Sequence, residues 1–215
     1  MTRSLLAFVL LAPAPFSLAA QTSQTTPSQT AAASLPPPAP SNRWAADPAH
    51  SAVNFRVRHL GITWVNGSFG QWTADLSYDP SKPEAASVVA KIQSATITTG
   101  NDRRDNDVRQ NYLAVDSFPA ITFTSTKVER TAADHLRITG DLTLRGVTRP
   151  VVLETDMGGV LASPRGRRTA FSATTTLKRQ DYGITLNRLM EGAQIVGDDV
   201  RITIDVEAIE RTATP

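Results

Sequence analysis
Cysteine is absent from the 215 residues. That excludes a disulfide framework, so the core alone must hold the fold. Histidine is nearly absent too, with only His50, His59 and His135. No two of them have metal-ligand spacing, so a zinc site would need distant carboxylates, and no metal is expected. No apolar run approaches the ~20 residues of a membrane-spanning helix. Neither charge sign dominates: 22 Lys and Arg against 20 Asp and Glu leave a formal +2. Basic residues cluster at Arg103-Arg104 and at Arg165-Gly166-Arg167-Arg168, in predicted loops. A nucleic-acid surface needs a denser basic face interleaved with aromatics, so no nucleic acid is expected as partner. The Gly-x-Ser-x-Gly elbow, the phosphate loop and the dinucleotide fingerprint are also missing, and no cofactor is expected.

What is present divides into three parts. Residues 1–20 read as a secretory signal peptide, with Arg3 as the positive start, Leu5 to Ala12 as a short apolar core and Ser17-Leu18-Ala19 or Leu18-Ala19-Ala20 as a small-residue cleavage site. Residues 21–43 are mostly Gln, Thr, Ser, Ala and Pro, too poor in large apolar side chains to offset their ordering entropy, and read as a disordered linker. Residues 44–215 have the length of one domain with a substantial core. An exported chain without cysteine fits the periplasm of a Gram-negative bacterium.

Within that domain a period of two marks about eight strands. Val53, Phe55 and Val57 alternate with Asn54, Arg56 and Arg58; Trp72, Ala74 and Leu76 with Thr73 and Asp75; Val88, Ala90 and Ile92 with Val89 and Lys91. Ile121 and Phe123 follow, then Leu136, Ile138, Leu142 and Leu144, a turn at Gly146, and a strand that Pro150 can start but not occupy in its middle. Phe171, Ala173 and Leu177, and finally Ile202, Ile204 and Val206, complete the set. Asp198-Asp199 after Gly197 reads as a hairpin turn into the last strand. Asn101 to Leu113 lacks the alternation. Asn101 can cap a helix there, and Val108 with Tyr112 is an i, i+4 pair, so a short helix is predicted between strands three and four. One apolar face per strand and short links imply an all-β, antiparallel sheet. Closure into an eight-stranded barrel would remove its exposed edges, with a β-sandwich as the alternative.

The wording of the chain resembles the YceI family of bacterial periplasmic proteins over essentially all of Trp44 to Glu210. The resemblance is carried by Asp47-Pro48-Ala49-His50-Ser51, Phe55-Arg56-Val57-Arg58-His59-Leu60-Gly61, Gly67-Ser68-Phe69, Thr98-Thr99-Gly100-Asn101 with Arg104-Asp105, and Phe118-Pro119-Ala120-Ile121-Thr122-Phe123. It continues through Gly140-Asp141-Leu142-Thr143-Leu144-Arg145-Gly146-Val147-Thr148-Arg149-Pro150-Val151, Phe171-Ser172-Ala173, Arg179-Gln180-Asp181-Tyr182-Gly183 and Gly197-Asp198-Asp199-Val200. It implies an extended, lipocalin-like barrel that binds a long polyisoprenoid or similar amphiphile without catalysis. The chain departs from the family at Asn111-Tyr112-Leu113, where two adjacent aromatics are usual. If those side chains cap the tunnel, ligand length or preference differs here.

The candidate ligand-binding residues are the inward apolar side chains Val53, Phe55, Val57, Leu76, Ile92, Phe123, Leu142, Leu144, Phe171, Ile202 and Ile204, together with His59, which shares the parity of the first strand. The apolar faces alone fit a packed core equally well, and His59 fits a satisfied strand-end histidine. Asp102, Asp105 and Asp107, interleaved with arginines, read as a solvated helix face with internal ion pairs. The expected function is non-catalytic binding of a long-chain isoprenoid or fatty-acyl lipid, for carriage or storage in the periplasm. Two alternatives stay open: an interaction or stress-response module without a lipid, and an enzyme acting on a periplasmic lipid or solute through His59 and a carboxylate. An exposed last strand would also allow a homodimer.

Overall fold
The computed structural model describes residues 41–163, 166–186, 189–190 and 193–211. The expected signal peptide and most of the expected linker lie outside the described residues. In chain order the strands are β1 (Arg43–Ala46), β2 (Ala52–His59), β3 (Thr63–Phe69), β4 (Trp72–Ser77), β5 (Ser87–Gln93) and β6 (Ile97–Thr98). Helix α1 (Asp102–Asp107) follows and continues into a π-helical turn, Val108–Leu113. Then come β7 (Ala120–Ala132), β8 (His135–Leu144), β9 (Val147–Met157), β10 (Leu161–Ser163), β11 (Gly166–Lys178), β12 (Leu189–Met190), β13 (Ala193–Gln194) and β14 (Val196–Glu210). Asn101 caps α1 by accepting the Arg104 N–H at 3.0 Å.

The pairing turns these strands into an eight-stave ring. β1 and β2 both lie along β14, β4 and β3 lie along β1 and β2, and β5 and β6 lie along β4 and β3. Each of these three couples is one stave interrupted by a short offset, such as the 3-10 turn Pro48–His50. β5, β7, β8, β9, β11 and β14 then pair in succession, all antiparallel, and β14 closes the ring onto β1 and β2. Closure decides for a barrel over a sandwich. It also leaves the last strand without a free edge, since β11 covers one side of β14 and β1 with β2 the other. The expected route to a homodimer through that strand is therefore closed.

Three expectations need correction. Pro150 does not start a strand but lies inside β9, opposite Asp141. It is tolerated because β9 pairs with β11 only from Glu154 to Met157, so the half that holds Pro150 is an edge on that side. Asp198 and Asp199 are not a turn. They sit in β14 where its register with β2 shifts between Val196 and Val200, the mark of a bulge. Asp198 accepts the Gln180 N–H at 3.2 Å, and Asp199 meets Lys178 at 3.3 Å. Arg167 and Arg168 belong to β11 rather than to a loop, and Arg103 and Arg104 to α1. Arg167 reaches Glu210 at 3.2 Å, and Arg168 holds Glu207.

Two apolar clusters sit at opposite ends. The antiparallel order brings the ends of β2, β6, β8 and β11 to one rim, here the helix end, where α1 follows β6. There Ile97, Tyr112, Leu113 and Ile184 are buried together, with Leu144 and Val196 packed on them. At the far end Trp44, only 1% exposed, packs with Tyr78, Phe171 and Ala208. Its indole N–H donates to the Tyr78 carbonyl at 2.8 Å, and Tyr78 meets Phe171 edge-on at 5.0 Å between ring centroids. Between the clusters, glycines let rings lie flat against the wall. A Cβ at Gly140 would fall 2.4 Å from Phe123 Cζ and 2.6 Å from the Thr124 carbonyl. Gly140→Ala is expected to lose about 1–3 kcal/mol of stability through overpacking, read as a lower urea midpoint at unchanged slope.

Candidate functional site
Alternation puts every second side chain of each stave inside the ring. These side chains do not fill it. A cavity of about 460 Å³ remains, and its lining runs from Leu76, Tyr78, Ala86 and Val206 at the far end to Val108, Tyr112, Leu113 and Ile184 at the helix end. Close-packed interiors do not leave voids of this size, whereas binding sites for small organic molecules do. Small inward residues make the room: Ala74 and Ala90 face each other across β4 and β5, and Ala173 sits on β11.

Val53, Phe55, Val57, Leu76, Ile92, Phe123, Leu142, Leu144, Phe171, Ile202, Ile204 and His59 all lie on the cavity wall. The same parity would also have pointed to Leu136, Ile138, Val151 and Leu153, which line it too. Tyr112, Leu113 and Ile184 come from segments without alternation, so no strand pattern could reveal them.

The ionisable members of the lining, Arg58, His59, Arg104, Asp107 and Arg179, all belong to the helix end, with the Arg58 guanidinium lying over the Trp64 ring at 4.1 Å. His59 has no side-chain hydrogen bond among the described residues, so it forms no pair with a carboxylate there. Asp105 corrects the expectation of a solvated acidic face: it is 3% exposed. It accepts from Thr98 Oγ1 at 3.1 Å, the Thr99 N–H at 2.8 Å and Thr99 Oγ1 at 2.5 Å. Burial pushes its carboxyl up, but these donors and the Arg109 charge outweigh it and hold the pKa below the ordinary value. Asp105 thus ties α1 to the end of β6. Arg104 turns back to Thr99, with Nε on Oγ1 at 2.7 Å and Nη2 on the carbonyl at 3.0 Å.

Arg179 was visible only as the start of a family motif, and its role is structural as well as positional. It is 4% exposed. Its guanidinium donates to the carbonyls of Gly197 (3.0 Å), Ile184 (2.6 Å), Leu186 (3.0 Å) and Val196 (3.2 Å). It therefore staples the segment after β11 to the start of β14, over the helix end of the cavity. Replacing Arg179 by Leu leaves four carbonyls without this donor. We expect a loss of about 3 kcal/mol or more in chemical denaturation. Arg179→Lys should recover little of it, because a point ammonium cannot span a planar fan of acceptors.

The other two histidines lie away from the cavity. Asp47, His50 and Glu207 form, among the described residues, a group whose ligand atoms are close enough to share an ion. The Arg168 guanidinium already bridges it, reaching Asp47 at 3.4 Å and pairing with Glu207. The hydrogen bond to Asp47 raises the His50 pKa, and His50 in turn lowers that of Asp47. His135 bonds Asp156 at 2.8 Å and Glu154 at 3.1 Å, and Arg137 meets Glu154 at 3.0 Å. Asp156, then Glu154, raises the His135 pKa above 6.5, and His135, then Arg137, lowers that of Glu154 below 4.5. A raised histidine adds stability in full below its unfolded value and loses it as pH climbs through the folded one. A depressed glutamate adds stability above its unfolded value and loses it as pH falls through the folded one. The destabilisation caused by His135→Gln, followed as a Tm difference, should therefore be greatest near about pH 5.5 and shrink toward about pH 9.

An antiparallel eight-stave barrel enclosing an apolar cavity defines a class of ligand-binding barrels. The sequence profile described as the YceI-like domain matches residues 44–208, and the chain belongs to the YceI family. Protein YceI of Salmonella arizonae is 37% identical over 164 residues, covering 75% of this chain and 83% of that one. The crystal structure of the Campylobacter jejuni YceI protein is 30% identical with a TM-score of 0.63, over 72% of this chain and 90% of that one. A structure described as a polyisoprenoid binding domain from Saccharophagus degradans shares the fold at 15% identity, with a TM-score of 0.61, over 78% of this chain and 98% of that one. Among the described residues no helix is long and apolar enough to cross a membrane.

Proposed function
We propose that this chain binds a long-chain isoprenoid or fatty-acyl lipid inside a lipocalin-like barrel, without catalysis, and carries or stores it in the periplasm after removal of residues 1–20. Residues 21–42 act as a linker to the barrel domain, whose β1 begins at Arg43. The observation that carries the reading is the cavity itself: a continuous, almost wholly apolar space running between the Trp44–Tyr78 cluster and the helix end. Its eleven named apolar wall residues, from Val53 to Ile204, would shield the tail, and His59 with the charged rim at the helix end would meet the head. The polyisoprenoid-binding description of a structural neighbour points the same way. The enzyme reading lacks its chemical pair, because His59 has no carboxylate partner among the described residues.

Removal of apolar surface from water supplies the driving force, at about 0.8 kcal/mol per CH₂. In a series of linear fatty acids, affinity should rise roughly fourfold per added methylene and then level off once the chain fills the cavity. Ala90→Phe should move the plateau to shorter chains while the unfolding midpoint stays close to that of the parent. Affinity independent of chain length, or unaffected by Ala90→Phe, would count against binding in the barrel.

A further inference from the structure
The three-residue link between β2 and β3 holds a β-turn whose central residues Leu60 (φ 52) and Gly61 (φ 72) both have left-handed backbone, and the Ile62 N–H closes it on the His59 carbonyl at 3.1 Å. A leucine in that region is strained by about 1–2 kcal/mol. The turn delivers Ile62 into solvent at 78% exposure, above the other large apolar side chains among the described residues. Behind it on the outer face of the wall stands Trp64. Three guanidinium carbons surround its indole: Arg58 at 4.1 Å, Arg56 at 4.8 Å and Arg201 at 4.9 Å from a ring centroid.

The indole offsets part of the repulsion among three cations, but none of them is in an ion pair with a carboxylate among the described residues. Asp199, two residues before Arg201 on the same strand, is engaged by Lys178 at 3.3 Å. Read down the stave, the order is an exposed aliphatic tip, then an indole with Arg58 opposite it, then Arg56 and Arg201. That is the depth profile of a bilayer surface, with the acyl boundary outermost to the protein tip, the interfacial belt that favours tryptophan next, and lipid phosphates over the guanidiniums.

We propose that the β2–β3 hairpin docks on an anionic lipid bilayer, with Ile62 in the acyl boundary and Arg56, Arg58 and Arg201 on the phosphates. Arg58 and His59 also belong to the cavity wall, so docking there sets the helix end of the cavity against the bilayer. The surface itself needs no lipid in the barrel, so docking and cavity binding fail separately.

The test is co-sedimentation of the full chain with phosphatidylcholine vesicles made with and without phosphatidylglycerol. The parent is compared with Ile62→Asp and with Arg56→Ser/Arg58→Ser/Arg201→Ser. All three share one N-terminal segment, so differences between them report the hairpin. Binding should require the anionic lipid, fall with added salt, weaken about fivefold per guanidinium removed, and be largely lost in Ile62→Asp at an unchanged unfolding midpoint. Should the triple variant fold poorly, the Ile62→Asp result and the salt dependence of the parent still decide. Equal binding by parent and Ile62→Asp, equal binding to neutral vesicles, or no binding at all overturns the proposal. So does tighter binding to a single-stranded oligonucleotide that ignores Ile62, which would assign the arginines to nucleic-acid phosphates.

Discussion

Everything in this molecule depends on β14 closing the ring. One long strand serves three partners: β11 along one side, from Lys178↔Asp199 to Arg168↔Ile209, and β1 and β2 in turn along the other. Because each stave is then hydrogen-bonded to a neighbour on both sides, with β9 free toward β11 only ahead of Glu154, a chain without a single cysteine can hold eight staves around a space that side chains do not fill. Eight is the strand number at which a barrel is either just filled or left with room for one small ligand. The choice falls to side-chain size. Alanines at 74, 90 and 173 leave volume where leucines would have closed it.

The two ends are finished differently, and the difference gives the cavity a direction. The far end is sealed by aromatic packing, with Trp44, Tyr78 and Phe171 in edge-on contact and the indole N–H satisfied by a carbonyl. The helix end adds polar stapling to its apolar cluster of Ile97, Tyr112, Leu113 and Ile184: Asp105 gathers the donors of Thr98 and Thr99, and Arg179 gathers four carbonyls. Aromatic packing opposes opening along its whole contact area. A cap held by hydrogen bonds can exchange its partners for water one at a time. The end that carries the charged lining is also the end that presents Ile62.

Much of this is legible in the residues themselves. A period of two is a direct readout of which side chains share a face, which is why the strands, and the wall positions from Val53 to Ile204, can be listed from the chain alone. β1 is not legible that way, because Arg43-Trp44-Ala45-Ala46 offers one large apolar side chain and no alternation to count. Pro150 and Asp198-Asp199 mislead for a related reason. Local residue chemistry marks them as strand starts and turns, and only the global pairing shows that one lies on a half-free edge and the other in a bulge. Asp105 reads from its arginine-rich surroundings as part of a solvated face, and Arg179 only as the start of a motif, whereas burial and partners assembled from other segments make both structural. The outward arginines of β2 look like an ordinary solvated face until the hairpin brings Trp64 between them.

The central claim is that the unfilled interior exists to hold a lipid. It is tested most directly by purifying the protein from its native compartment without detergent, denaturing it, and analysing the organic extract by mass spectrometry. The account predicts a polyprenyl or fatty-acyl species in near-stoichiometric amount. An empty extract, together with no uptake of added polyprenyl lipid by the folded protein, would contradict it.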